Sequence, residues 1–179
     1  TISESFNYDG LENQMEGKHR PGHFDGVGTI VKRLFEIVQP NKAYFGEKDF
    51  QQLQIVKKLV SKYKIPVDVI GCPIHREANG LAMSSRNERL SESAREKAAI
   101  IYQILNSAKE IFQTNSAEET IKFVENEFKK YSEFELEYFE IADEATLLPV
   151  SEKKSNKKYR GFIAIFIENI RLIDNISLN

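Results

Sequence analysis

The 179-residue sequence predicts an α/β unit followed by a small α+β unit. Three observations carry that prediction. Apolar residues recur at helical spacing from Phe24 to Val38. Two short apolar runs, Ala43-Tyr44-Phe45 and Val67-Asp68-Val69-Ile70, flank a second amphipathic stretch, and strand, helix, strand at this spacing make a right-handed parallel crossover. Beyond Ser91 the order changes to long helical patterns and then to runs alternating between apolar and acidic residues. Such alternation marks antiparallel strands with one wet face.

Residues 1–23 are polar and punctuated by glycine, and read as an irregular entry segment. The first helix carries Val27, Ile30, Val31, Leu34, Phe35 and Val38 on one stripe, and Pro40 ends it because proline has no N–H to donate. Ala43-Tyr44-Phe45 reads as a short buried strand. Asp49 to Tyr63 reads as a helix with Leu53, Val56, Leu59 and Val60 on one face, and Val67 to Ile70 as a strand closed by Gly71 and Pro73. Ala94 to Phe112 reads as one long helix. Ser116-Ala117-Glu118-Glu119 is a capping box that opens another through Tyr131. Phe134 to Ile141, Tyr159 to Ile167 and Leu172 to Asn175 supply strands, and Glu152 to Lys158 is a solvated loop. Two domains follow: residues 1–74, the later part of a parallel sheet, and residues 75–179, a small lid-like α+β domain.

Composition excludes several classes. Twenty-five Lys+Arg against 27 Asp+Glu leave a formal charge of -2, without the basic excess of a nucleic-acid binder or an attraction to membrane surfaces. No apolar stretch approaches the ~20 residues of a membrane span. A single cysteine, Cys72, permits no internal disulfide and suits a reducing cytoplasmic setting; beside Pro73 it reads as a buried thiol.

The chemistry concentrates in two segments. Gly46-Glu47-Lys48-Asp49-Phe50-Gln51-Gln52 runs from a strand end into a helix start. Helix N-termini attract anions, and a lysine there carries an electrostatic cost of up to ~1 kcal/mol unless an anion joins it. Gly80-Leu81-Ala82-Met83-Ser84-Ser85-Arg86-Asn87 packs two hydroxyls and an arginine into a few residues. Hydroxyls donate to phosphate oxygens and a guanidinium grips them bidentately. Taken alone, Ser-Ser-Arg-Asn is also an ordinary loop composition. Together the two segments read as halves of a nucleotide triphosphate clamp.

These segments, with Arg20-Pro21-Gly22-His23-Phe24, Gly26-Val27, Arg89-Leu90-Ser91, Asp143-Glu144-Ala145-Thr146-Leu147 and Arg171-Leu172-Ile173-Asp174-Asn175, resemble the pantothenate synthetase (pantoate–β-alanine ligase) family. The resemblance covers essentially the whole chain. It implies a partial Rossmann-like nucleotidyltransferase sheet followed by a small α+β C-terminal domain. It implies ATP-dependent condensation of pantoate with β-alanine through pantoyl adenylate, releasing pyrophosphate and AMP, with Mg²⁺ accompanying ATP and a cytoplasmic homodimer as the complete protein. One departure accompanies it. The family's N-terminal part carries a His-x-Gly-His signature, which His19, His23 and His75 do not form. The chain is therefore expected to be a C-terminal portion, inactive by itself.

Carried onto this sequence, the resemblance makes Lys48, Ser84, Ser85 and Arg86 catalytic. It makes Gly46, Glu47, Lys48, Asp49, His75, Met83, Ser84, Ser85 and Arg86 ATP-binding, with Gly46 and Asp49 at the ribose and the backbones of Met83 and His75 near adenine. Gln52 and Arg20 fall to pantoate, and Gln51 is expected to face elsewhere. Blander roles stand beside these. Asp49 suits an N-cap, His23 a structural hydrogen bond, His75 an exposed histidine, and Val27, Ile30 and Val31 a core. No cluster has dedicated metal-ligand spacing, so no residue is named for Mg²⁺. Two further readings remain: another adenylating or nucleotidyl-transferring enzyme, and a non-catalytic dimerisation or lid module.

Overall fold

The structure, a computed structural model, describes residues 2–179; Thr1, placed by the sequence in the entry segment, lies outside the described residues. The chain divides into two compact units, Thr1–Pro73 and Ile74–Asn179.

In the first unit, α1 (Glu16–His19), α2 (His23–Val38), β1 (Lys42–Gly46), α3 (Phe50–Lys62) and β2 (Asp68–Cys72) follow in order. β1 and β2 pair in parallel, with Gly46 opposite Cys72, and α3 is the crossover between them. A small cluster of Phe35, Val56 and Val67, flanked by half-buried Val27, Val31, Phe45 and Val69, holds α2 and α3 on this sheet. The other face of α2 is covered by the entry segment, whose Phe6, Tyr8, Leu11 and Met15 are buried. Gly28 makes that contact possible: a Cβ there would run into the Tyr8 hydroxyl and come within 2.9 Å of the Phe6 ring. Glu4 N–H donates to Thr29 Oγ1 at 2.8 Å, Phe6 N–H to Asp25 Oδ1 at 2.9 Å, and Tyr8 Oη to the Phe24 carbonyl at 2.8 Å. Burial first, then the neighbouring Asp25, Tyr63 and Glu12, pushes the Tyr8 phenol well above its ordinary pKa of 10.0.

Three expectations need correction here. β1 is not a buried strand, since Tyr44 is 65% exposed. Of the α2 stripe only Phe35 is buried; Ile30, Leu34 and Val38 are exposed, as is Ile37. Cys72 is half-buried rather than buried.

In the second unit, α4 (Glu92–Lys97), α5 (Ala99–Thr114) and α6 (Ala117–Phe128) precede an antiparallel sheet of β3 (Phe134–Asp143), β4 (Tyr159–Ile167) and β5 (Ile170–Ser177), in that spatial order. The ladder shifts register between Leu136 and Tyr138, as at a bulge. The predicted long helix is two: Ala98 closes α4 and precedes α5, with its N–H bonded back to Ala94 and no proline or glycine marking the break. The Ser116–Glu119 capping box forms reciprocally, and the helix it opens ends at Phe128 rather than Tyr131. One continuous core unites helices and sheet through Ile101, Leu105, Ala108, Val124, Ile141, Ile163 and Ile165. Among the described residues no helix is long and apolar enough to cross a membrane.

Candidate functional site

Most candidate residues fall on two loops, one in each unit; Arg20 lies between α1 and α2 and Gln52 in α3. In the first unit β1 ends at Gly46 and the chain turns through a 3-10 segment, Glu47–Asp49, into α3. Gly46 is extended, at φ -70° and ψ 137°, a conformation open to any residue, so backbone geometry does not call for glycine. A Cβ there would meet nothing within 4 Å among the described residues, and the glycine leaves bare, exposed backbone at the strand end. At Gly71 of β2, by contrast, a Cβ would come within 2.9 Å of Leu53 Cδ2 and 3.5 Å of Glu47 Oε1. The Glu47 side chain thus lies against β2, which seats the turn on the sheet.

Asp49 stands at the cap position of α3, but its carboxylate makes no cap hydrogen bond. The expected N-cap is corrected: at φ -95° and ψ 60° the residue lacks the usual cap conformation, and its carboxylate is exposed. Lys48 and Gln52 are half-buried. Gln51 is buried. Its Nε2 donates to the carbonyls of Leu11 at 2.9 Å and Gln14 at 2.7 Å, and its Oε1 accepts from Glu16 N–H at 3.2 Å. It ties the entry segment to the helix that carries the lysine turn. Sequence reasoning assigned it only a different direction; a buried amide reaching residues 35–40 positions away leaves no local signal.

The Arg20–His23 loop lies beside that turn. Arg20 Nη1 sits 3.3 Å from His23 Nε2. Burial first, then the Arg20 charge, holds the His23 pKa below its ordinary value, against the pull of Glu16 and Asp49. The ring is thus neutral at pH 7, with Nε2 accepting from Arg20 and Asp49 within electrostatic range. Arg20, His23, Asp49 and the lysine turn therefore gather at one end of the first unit.

In the second unit, residues 75–83 form a tight hairpin. Arg76 bridges Ala82, Met83 N–H donates to the His75 carbonyl at 2.9 Å, and Glu77 N–H donates to the Leu81 carbonyl at 2.8 Å. Gly80 turns it at φ 94°, where a Cβ would also strike the Tyr102 ring at 2.7 Å. Arg76 fixes the hairpin to the sheet: Nη1 and Nη2 grip Asp174 at 2.7 and 2.9 Å, and the guanidinium lies 3.7 Å from the Tyr102 ring centroid. Next to it, Arg160 donates to Glu144 at 3.0 Å and to Asn175 Oδ1 at 2.8 Å. The sequence singled out Asp174 and Asn175 without a role; nothing local announces a partner 98 residues away.

The hairpin delivers Met83-Ser84-Ser85-Arg86. Ser84 caps a 3-10 turn, Ser85–Arg89, its Oγ accepting from Arg86 N–H at 3.2 Å while its own O–H remains a donor. Met83, Ser85 and Arg86 are exposed, and Arg86 Nη1 donates to the Arg171 carbonyl at 3.3 Å. His75 is exposed and contributes its carbonyl to the hairpin. The loop thus presents the Ser85 hydroxyl and a guanidinium to solvent, with the half-buried Ser84 hydroxyl beside them. Among the described residues no three His, Cys, Asp or Glu side chains converge as a metal site.

A family model described as pantoate-beta-alanine ligase matches residues 3–177. The chain belongs to this family. A protein named pantothenate synthetase from Flavobacterium psychrophilum is 67% identical over 178 residues, covering 99% of this chain and 63% of that protein. The crystal structure of pantothenate synthetase from Thermus thermophilus superposes with a TM-score of 0.87 at 41% identity, covering 98% of this chain and 62% of that one. A Francisella tularensis pantoate-beta-alanine ligase, described as complexed with beta-gamma ATP and beta-alanine, matches with a TM-score of 0.69 at 34% identity, covering 99% and 57%. The chain therefore spans a little under two thirds of the length of these relatives. The pantoate–β-alanine ligase match includes both the lysine turn and the serine–arginine loop.

Proposed function

We propose that the protein carrying this chain condenses pantoate with β-alanine at the expense of ATP. A pantoate carboxylate oxygen attacks the α-phosphorus, the bond to the β-phosphate oxygen breaks, and pyrophosphate leaves. The β-alanine amine then attacks the acyl carbon of pantoyl adenylate, AMP departs with the bonding pair, and the nitrogen loses a proton. The observation that carries this reading is the family match across residues 3–177, which spans both candidate loops.

Neither step needs a covalent enzyme intermediate; positioning and charge stabilisation suffice. Lys48 and Arg86 offset charge developing on phosphate oxygens, and Ser84 and Ser85 donate hydroxyl hydrogens to them. Gly46 and Asp49 meet the ribose, with Glu47 seating their turn on the sheet. The backbones of His75 and Met83 approach adenine. Gln52 and Arg20 hold pantoate, Gln52 through an amide that both donates and accepts. Mg²⁺ enters with the triphosphate and is assigned no residue of this chain. The complete protein is a cytoplasmic homodimer, and this chain by itself makes no pantothenate. The relative named as bound to beta-gamma ATP and beta-alanine supports the choice of substrates.

Pyrophosphate exchange into ATP by the full-length protein tests the reading. Exchange that requires pantoate is expected, and Lys48→Ala should lower it by about 100-fold, the scale of losing one transition-state donor. Exchange indifferent to pantoate would transfer the reading to another acid. No exchange in either case would leave a non-catalytic module.

A further inference from the structure

The Met83–Arg86 loop rises from a base held by one buried side chain. Asn87 is 1% exposed, and its Nδ2 donates twice: to the Ala82 carbonyl at 3.0 Å and to Glu77 Oε1 at 2.7 Å. Ala82 and Asn87 are the two residues flanking the loop, so the first of these bonds closes its neck. The backbone of Asn87 adds two more ties, its N–H to the Ser84 carbonyl at 3.0 Å and its carbonyl to Leu90 N–H at 3.2 Å. Glu77 is fixed in turn. Its Oε2 accepts from Arg95 Nε at 2.9 Å, and its Oε1 from Arg95 Nη2 at 2.9 Å, a bidentate grip from α4. The Arg95 bond first, with Asn87 adding to it against desolvation, holds the Glu77 carboxyl below its ordinary pKa. The carboxylate is charged at neutral pH.

The amide orientation is set by these partners. Turning it over would place Oδ1 against a carboxylate and a carbonyl, two acceptors. The orientation has a cost: Asn87 Oδ1 is buried and meets no protein donor among the described residues. Tolerating a buried orphan acceptor to keep two donors in place is a local sacrifice of the kind found where a loop conformation matters.

We propose that Asn87 and Glu77 are positioning residues that fix the conformation of the Ser84-Ser85-Arg86 loop for phosphate without touching substrate. This rests on the reading of that loop as a phosphate clamp. An isosteric Asn87→Asp replaces the double donor by a carboxylate facing Glu77 and the Ala82 carbonyl, both acceptors. Glu77→Gln in the same chain supplies an amide donor opposite the new carboxylate and relieves the repulsion.

Two measurements on the full-length protein test this, with thermal unfolding as a control for fold. In pantoate-dependent pyrophosphate exchange, Asn87→Asp should lower kcat by about 10- to 100-fold, the range for small displacements of positioned groups. KM for pantoate should stay unchanged. Asn87→Ala should fall between wild type and Asn87→Asp, and adding Glu77→Gln to Asn87→Asp should recover part of the loss. In hydrogen exchange, amides of residues 83–87 should exchange faster in Asn87→Asp. A kcat within twofold of wild type, equal damage to both substrates' KM values, no recovery in the double variant, or unchanged amide protection would overturn the proposal. Wild-type protein lacking pantoate-dependent exchange would instead strike the functional reading, and the amide protection would then decide the brace alone.

Discussion

The two units hold their candidate loops in different ways. The second unit rests on one continuous core between three helices and a three-stranded antiparallel sheet. Its loop is pinned to that core by buried charged and amide groups: Arg76 on Asp174, Asn87 on Glu77 and Ala82. The first unit has two paired strands and a small cluster under them. Its irregular entry segment is strapped across α2 and α3 by side chains that bond to backbone, from Thr29, Asp25, Gln51 and Tyr8. Lys62 and Lys32 add exposed ion pairs to Asp9 and Glu4, which contribute little. Ile30, Leu34, Ile37 and Val38 of α2 and Tyr44 of β1 stay exposed in this chain. The single core of the second unit resists local opening, whereas opening the strap breaks a few hydrogen bonds and exposes Phe6, Tyr8, Leu11 and Met15. The lysine turn therefore sits on the unit held by the strap, and the serine–arginine loop on the unit with the larger core.

Breaking the pin in the second unit should have the largest effect on stability. Asp174→Ala leaves Arg76 half-buried without its carboxylate, and loss of one partner from such a pair costs about 3 kcal/mol. Urea unfolding followed by far-UV circular dichroism reads it. A cost under about 1 kcal/mol would mean that Tyr102 and the Gly80 carbonyl suffice to hold the arginine.

A smaller effect is expected at the strap. Gly28→Ala puts a methyl group into the Tyr8 hydroxyl and the Phe6 ring, and overpacking of this kind costs about 1–3 kcal/mol. Protease cleavage within residues 2–15 should become faster while the second unit's unfolding midpoint stays put. Stabilisation instead, by the ~1 kcal/mol that alanine gains over glycine in a helix, would show that the strap shifts freely.

The mildest test is pH. Folding raises the Tyr8 pKa above its unfolded value of 10.0, so the neutral phenol is favoured in the folded chain. Its contribution is complete below pH 10 and is lost as pH rises from there toward the folded pKa. Tyrosinate absorbance should show one of the seven tyrosines titrating late, and first-unit amide protection should fall over the same range. Tyr8→Phe should abolish the late component; its persistence would place it on another tyrosine.

Long periodic segments were legible in the sequence. The α2 pattern began one residue late, β4 coincides with the Tyr159–Ile167 run, and the Ser116 capping box formed as its residues require. These signals are local: period, cap and turn chemistry act within a few residues. The break at Ala98 was not legible, because alanine favours helix and no proline, glycine or capping side chain marks the buried Ala98 where α4 gives way to α5. Nor was the burial of Phe6, Tyr8, Leu11 and Met15 in a polar, glycine-punctuated segment, which depends on a groove assembled elsewhere in the unit.

The same division runs through the candidate site. By itself the sequence determined which residue types could meet a triphosphate, the loops that carry them and the order of helices and strands around them, since each follows from side-chain chemistry and short-range pattern. Only the tertiary structure decided what holds those loops. It assigned Gln51 to the entry segment, Asp174 to Arg76, and the Asn87 amide to Glu77 and Ala82. Three of these four bonds join residues from 10 to 98 positions apart, and even the short Ala82 tie needs the amide turned inward by Glu77. A buried donor settles on whichever acceptor folding brings within reach, and that choice is made by packing rather than by neighbours in sequence.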